Sequence, residues 1–454
     1  MSATPTATAP PTSNVSQGTG QRLYERARRI IPGGTQLLSK RPEMFLPEQW
    51  PAYYNRAEGA RVWDLDGREY LDCTIFGVGS TVLGFADPDV NEAVVKAVRA
   101  GSMTTLNCPE EVELAELLVD LHPWSDMARF ARGGGEVVAL AVRVARAATR
   151  RDVVAFCGYH GWHDWYLAAN LSGDGNLDGH LLPGLSPLGV PRGLRDSMVP
   201  FQYNDIEALR SIVETHGDRL AAIIMEPTRG VGPKEGFLEG VRQLADESGA
   251  VLIFDEITSG WRVNSGGIHL TLGVDPDMAV FAKALGNGYP ISAVIGKRDI
   301  MQAAQGTFIS STFFTERVGP TAALATIRKH IDRDVPSHLK EVGSRVQEGW
   351  RSAADAADLS IRTTGVLPLS TLGFEVSDPV ASTTLFIQEM LDRGILASTQ
   401  FYASYAHQPA DVDRYVEGVH EAFRVVADAE ASEGGATARL RGPVKHTGFK
   451  RLTG

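Results

Sequence analysis

The stretch Val251-Leu252-Ile253-Phe254-Asp255-Glu256 decides how the rest of the chain is read. Four consecutive apolar residues without polar alternation predict a strand covered on both faces, as in a parallel sheet between helices. Two carboxylates follow at its carboxyl end, where open α/β sheets gather their ligands. Either one also suits a helix N-cap or a metal ligand, so the stretch alone leaves its chemistry open. Twenty-eight residues beyond Asp255, a second apolar run, Met278-Ala279-Val280-Phe281-Ala282, ends in Lys283. Lysine is rarely buried without a partner. Burial lowers its ammonium pKa toward the neutral amine that forms an imine with an aldehyde. The plainer reading is an exposed lysine at a strand end.

Outward from this pair, short apolar runs alternate with helical periodicity. Strands are predicted at 153–156, 221–225, 251–254, 278–281 and 292–295, and helices at 136–149, 206–215 and 237–248. The alternation predicts an α/β fold with a mostly parallel, seven-stranded-type sheet between helices. Upstream, a basic helix over 22–31 stops at Pro32-Gly33-Gly34. A hairpin over 61–65 and 69–73 turns at Asp66-Gly67, and helices follow at 88–100 and 110–121. Downstream, one long helical section spans 317–357, with a strand at 369–374 and helices at 382–393 and 412–427. The expected organisation is a large domain over 88–334 and a small α+β domain built from 21–87 and 335–439. Tails at 1–20 and 440–454 flank them, the second a solvated basic stretch with Arg441, Lys445, Lys450 and Arg451.

Composition excludes several classes. The 454 residues carry 44 Lys+Arg against 55 Asp+Glu, a net charge of −11 with no basic block, so nucleic acid is not an expected partner. No apolar run is long enough to span a bilayer. The first twenty residues lack the basic start and apolar centre of a secretory signal. Cys73, Cys108 and Cys157 are odd in number and have no C-x-x-C spacing, so neither a disulfide framework nor a zinc knuckle is expected. These features together predict a soluble, cytoplasmic protein without membrane or metal.

Two further signals carry chemistry. Gly133-Gly134-Gly135-Glu136 leads into a helix, and such a start leaves N–H groups free for an anion, although a flexible turn has the same composition. Tyr159, between Gly158 and His160 after a strand, is placed to stack on a planar ring. His160 and His163 lack a third ligand, which disfavours a metal pair. A phosphate cradle, a stacking aromatic, a strand-end Asp and an imine-forming Lys are together what pyridoxal phosphate requires.

On these residues, with Glu226-Pro227 and Asp255-Glu256-Ile257-Thr258-Ser259-Gly260-Trp261-Arg262, the chain resembles class III, fold-type I pyridoxal-phosphate aminotransferases. It is most similar to the branch of glutamate-1-semialdehyde aminomutase, from about residue 23 to 427. The resemblance implies Lys283 as Schiff-base lysine and proton shuttle, and Asp255 as partner of the pyridinium nitrogen. Ile257 would pack under the ring, with Tyr159 on its other face and His160 beside it among the cofactor residues. Gly133, Gly134 and Gly135 would serve the phosphate, and Glu226 would stand near the ring hydroxyl. Thr315 falls where relatives reach the neighbouring subunit's phosphate, which implies a homodimer with shared sites. Lys40 or Arg41 would grip a substrate carboxylate.

Departures set the expected reaction. The usual Ser-Gly-Thr-Glu cradle reads Gly-Gly-Gly-Glu, so both hydroxyls are missing. Tyr402 follows Thr399-Gln400-Phe401 where aminomutases carry a Glu, and this argues against an intramolecular amine shift. The Gly/Pro-rich segment 167–194 is expected to act as a lid. The implied reaction is amine transfer from a donor, L-glutamate, to a cyclic keto acid or ketosugar, with 3-dehydroshikimate to 3-aminobenzoate among the candidates. Tyr402 would contact that acceptor. The alternatives are the aminomutase itself, a racemase or epimerase, and a non-catalytic regulator that binds the cofactor.

Overall fold

Seven strands form the central sheet: Met127–Ala131 (β1), Val153–Cys157 (β2), Met198–Pro200 (β3), Leu220–Met225 (β4), Val251–Asp255 (β5), Met278–Phe281 (β6) and Ser292–Gly296 (β7). Their spatial order is β1-β7-β6-β5-β4-β2-β3. β3, β2, β4, β5 and β6 pair in parallel. β7 runs antiparallel to both β6 and β1, so β1 again points the same way as β6. Six carboxyl ends therefore open on one edge. The computed structural model describes residues 18–447 except 181, 182 and 229. Residues 1–17 of the expected first tail, and Lys450 and Arg451 of the second, lie outside the described residues.

The inner strands are buried along their whole length, as continuous apolar runs require. The helix Gly134–Thr149 lies over one face of the sheet through Val137, Val138, Ala141, Val144 and Ala145, the spacing of a helical stripe. Each large aliphatic side chain so buried contributes roughly 1.5–3 kcal/mol. Two edge strands escape the sequence reading, because β1 alternates Arg129 with apolar residues and β3 is three residues long and ends in Pro200.

The smaller sheets join the two ends of the chain. Tyr54–Glu58, Arg61–Asp64 and Glu69–Cys73 form an antiparallel run, to which Ile395–Ala397 adds in parallel. Ile361–Thr364, Leu369–Phe374 and Gln400–Tyr402 make a second antiparallel sheet. Behind them pack the helices Val335–Ala357, Pro379–Asp392 and Pro409–Glu430, with Phe374, Phe386 and Phe423 in edge-to-face contact.

Three expectations are corrected. The long helical section is two helices, Val318–Asp332 and Val335–Ala357, separated at Asp334, whose φ of 44° is left-handed. Segment 167–194 is not a loose lid: Asn170 and Leu177 are buried, Leu177 N–H donates to Asn170, and His180 accepts from Gly158 N–H at 3.2 Å. The segment braces the turn that carries Tyr159. Residues 440–447 are not a free tail either. Arg441 pairs with Asp392, Lys445 N–H donates to Thr384, and His446 N–H donates to the Glu43 carbonyl. Among the described residues no helix is long and apolar enough to cross a membrane.

Candidate active site

Four neighbouring strands deliver the chemistry to one edge. β6 ends before Lys283, β5 ends in Asp255, β4 is followed by Glu226, and β2 is followed by Tyr159 and His160. β1 leads into the glycines 133–135, while Tyr289, Pro290 and Ile291 enter just before β7. A cleft of about 580 Å³ opens here, lined among others by Gly134, Gly135, Tyr159, His160, Asp255, Ile257, Thr258 and Lys283.

Lys283 has a φ of 48°, a conformation that non-glycine residues keep mainly where the surroundings enforce it. Its Nζ donates to Thr258 Oγ1 at 2.8 Å. Burial pushes its ammonium pKa below the usual lysine range; the Glu226 carboxylate opposes this, the Arg262 cation reinforces it, and Asp255 opposes it. Thr258 is also held through its backbone, whose carbonyl accepts from Arg262 Nε at 3.3 Å. Arg262 is buried and donates on to the Gly79 carbonyl; burial lowers its pKa to about 10.

The two carboxylates after β5 part company. Asp255 is 3% exposed and lines the cleft; one oxygen lies 2.7 Å from His160 Nδ1 and the other accepts from Ile257 N–H at 3.1 Å. Glu256 turns into the interior, where Ser259 and both the N–H and the ring of His269 bond it. Trp124 Nε1–H closes that chain on His269 Nε2 at 2.8 Å. Burial alone would raise the Glu256 pKa, but the bonds from His269 and Ser259 hold it below the usual carboxylate range. Asp255 is thus the carboxylate of the two that faces the cleft. Among the described residues no three His, Cys, Asp or Glu side chains are grouped to hold a metal.

The glycine run begins the helix Gly134–Thr149, with Glu136 accepting from the N–H groups of Arg132 and Gly133. The first turn presents unsatisfied N–H groups and the positive end of the helix dipole. A Cβ at Gly135 would stand 2.8 Å from His163 Nδ1, and one at Gly161 would stand 2.8 Å from the Gly135 Cα. The backbones of Gly135 and Gly161 thus meet closely, and the His163 ring fills the space beside Gly135 that a side chain there would need. Cradle, buried Asp255 and cleft-lining Lys283 together fit pyridoxal phosphate. Tyr159 is held by its N–H to Glu226 Oε2 at 3.1 Å, and burial raises its pKa.

Other expected residues stand farther out. Lys40 is exposed and the Arg41 guanidine packs over Gly33; from their loop it is Leu37, Leu38 and Ser39 that line the cleft. Tyr402 lies against Gly79 beside Arg262, outside the lining, with its pKa raised by burial. Thr315 sits on the surface, its hydroxyl 3.8 Å from Met103 Sδ. Its neighbours Phe314 and Glu316 are tied to the cleft-lining Arg132. Sequence reasoning gave no role to Thr258, Arg132, Met44 or Val78, all of which line the cleft. The one available signal was a hydroxyl three residues after Asp255.

Comparison with known proteins agrees with this geometry. The family model described as Aminotransferase class-III matches residues 47–422. The chain is 31% identical over 422 residues to the 3-aminobutyryl-CoA aminotransferase of Cloacimonas acidaminovorans, covering 89% of this chain and 96% of that one. It is 36% identical over 425 residues to the glutamate-1-semialdehyde 2,1-aminomutase of Syntrophobacter fumaroxidans, covering 88% and 96%. Among solved structures, the FumI protein of Sphingopyxis sp. MTA144 in its PLP form superimposes with a TM-score of 0.83 at 27% identity, covering 93% of this chain and all of that one. An omega-transaminase from Sphaerobacter thermophilus gives 0.79 at 28%, covering 90% and 98%. With Lys283, Asp255 and the glycine cradle gathered at one sheet edge and a match along most of its length, the chain belongs to the class-III aminotransferases, pyridoxal-phosphate enzymes of fold type I.

Proposed function

We propose that the chain moves an amino group from L-glutamate to a cyclic keto acceptor, with Lys283 as the group that carries the proton. The supporting observation is the convergence of Lys283, Asp255, Tyr159 and the glycine cradle on one cleft. When bound, pyridoxal phosphate supplies an aldehyde that captures amines and a ring that takes up electron density from the reacting carbon. Gly134 and Gly135 would hold its phosphate through backbone N–H groups, with Gly133 completing the turn. Ile257 and Tyr159 would contact the ring, and Glu226 fixes the Tyr159 turn.

Asp255, its carboxylate oriented by His160 and by the Ile257 N–H, would pair with the ring nitrogen. Lys283 Nζ would take up the proton released from the substrate carbon that bears the amino group and hand it back to complete the transfer. Its depressed pKa keeps more of the neutral amine available for that task at a given pH. Thr258 Oγ1 gives the amine a resting place at 2.8 Å, so the lysine is not lost into solvent between the two transfers. Leu37, Leu38, Met44 and Trp162 form an apolar wall against which the body of the acceptor would pack. For Lys40 or Arg41 to grip its carboxylate, or for Tyr402 to touch it, these side chains would have to turn toward the cleft from outside its lining.

A homodimer completes this reading. Exposed Met103, Phe308 and Phe313 supply apolar surface: Thr315 Oγ1 meets Met103 Sδ, Arg132 bonds the Glu316 carbonyl, and Arg129 and Arg143 bond the Ile309 and Phe308 carbonyls. In such a dimer Thr315 would reach the partner's cradle. An intramolecular amine shift is the second reading, favoured by the named aminomutase relatives. It predicts product from glutamate semialdehyde with no keto acceptor present. The test of the main reading is Lys283→Ala, which should abolish amine transfer while the fold and the capacity for cofactor persist; appreciable turnover by this variant would refute it.

A further inference from the structure

The three glycines at 133–135 bring backbone N–H groups to the anion cradle and no side-chain donor at all. The structure shows what occupies the space they leave. The His163 ring stands where a side chain at position 135 would begin, with Nδ1 2.8 Å and Cε1 3.0 Å from the Cβ that Gly135 lacks. Nδ1 is buried and has no hydrogen-bond partner among the described residues. A buried ring nitrogen without a partner is costly and calls for an explanation.

The ring is also held in place. Trp162 stacks on it with centroids 4.6 Å apart, and the His163 carbonyl accepts from the Tyr166 N–H at the start of the next helical turn. Gly161, two residues earlier, abuts the Gly135 backbone, so the His163 loop and the cradle share one contact. His160, by contrast, is engaged by Asp255 and belongs to the ring end of the cleft.

We propose that His163 donates its Nδ1–H to the phosphate of pyridoxal phosphate and so replaces the side-chain donor that the glycines do not provide. The proposal rests on the reading of the cleft as a cofactor site. Imidazole adds either a neutral donor or, when protonated, a charge-assisted one to the backbone N–H groups of the first helical turn. No proton is transferred and no bond is made or broken.

The test uses the cofactor-free full chain and compares pyridoxal phosphate with pyridoxal, which lacks the phosphate. Binding is followed by tryptophan fluorescence and by absorbance. His163→Ala should weaken pyridoxal phosphate roughly tenfold or more and leave pyridoxal unchanged. His163→Asn, whose amide nitrogen lies close to the Nδ1 position, should recover a good part of the loss. In the His163→Ala background, Gly135→Ser should also recover affinity, because the vacated space admits a hydroxyl side chain. Equal weakening of both ligands would show a packing role only and overturn the proposal, as would unchanged affinity for pyridoxal phosphate. Failure of the wild-type chain to bind pyridoxal phosphate would instead overturn the cofactor reading itself, and the proposal with it.

Discussion

Lys283 and Thr258 are where the chemistry is most exposed to test. The lysine was legible in the sequence because an amine at the end of an apolar strand contradicts the usual distribution of charge. Thr258 was not legible as its partner, because a hydroxyl three residues past Asp255 becomes one only after two adjacent strands bring residues 258 and 283 together. A hydrogen bond from an ammonium to a hydroxyl favours the charged form. Burial outweighs this bond, so in the cofactor-free chain Lys283 should react with an amine-directed reagent with a midpoint below the usual lysine value of 10.5. Thr258→Val should move that midpoint lower still, and Thr258→Ser should restore it. Mass spectrometry of the labelled peptide across pH reads both, and a midpoint unaffected by Thr258→Val would remove the hydroxyl from the account. The cradle histidine escaped the sequence for a similar reason: His163 was set aside as a metal ligand, and only the missing Cβ of Gly135 shows its neighbour.

Among the elements, the inner strands and the helices that cover them followed directly from apolar periodicity. The failures have local causes. Edge strands β1 and β3 bury too little to leave a continuous apolar run, and the left-handed Asp334 divides a section whose helical pattern is otherwise unbroken. The second of the two helices so formed is fixed by a close approach. A Cβ at Gly343 would stand 1.9 Å from the Leu367 carbonyl oxygen, a backbone atom that cannot swing away. Gly343→Ala should consequently push the helix Val335–Ala357 off the loop before Leu369 and destabilise the fold by about 1–3 kcal/mol, despite alanine's better helix propensity. Urea unfolding measures this, and an unchanged or raised midpoint would mean the contact is not tight. The segment 167–194 carries a related lesson: its Gly/Pro content reads as a mobile flap, but Asn170, Leu177 and His180 tie it beneath Tyr159.

For the whole molecule, three histidines buried as neutral rings set the acid limit. His122, His330 and His407 are held by backbone groups in the interior, and burial lowers each pKa from 6.5 to about 4. The unfolded chain binds these protons first, so stability is fully present above pH 6.5 and is lost as pH falls toward 4. Each ring contributes on the order of 3 kcal/mol to that loss. Melting temperature should fall steeply across this window, and His407→Gln should make the fall shallower. An acid transition of unchanged steepness in that variant would contradict the assignment. Composition spoke to this scale only by exclusion: the charge of −11 removed nucleic acid from consideration and left the sheet edge to identify the chemistry. The central claim, that this edge moves an amino group between two substrates through Lys283, is tested most directly by one titration. The chain is loaded with pyridoxamine phosphate, cyclic keto acids are added one at a time, and the absorbance of the cofactor is followed. The account predicts return of the aldehyde-form spectrum with at least one acceptor in the wild type and with none in Lys283→Ala. No return with any acceptor, together with conversion of glutamate semialdehyde or of an added amino acid without one, would contradict it.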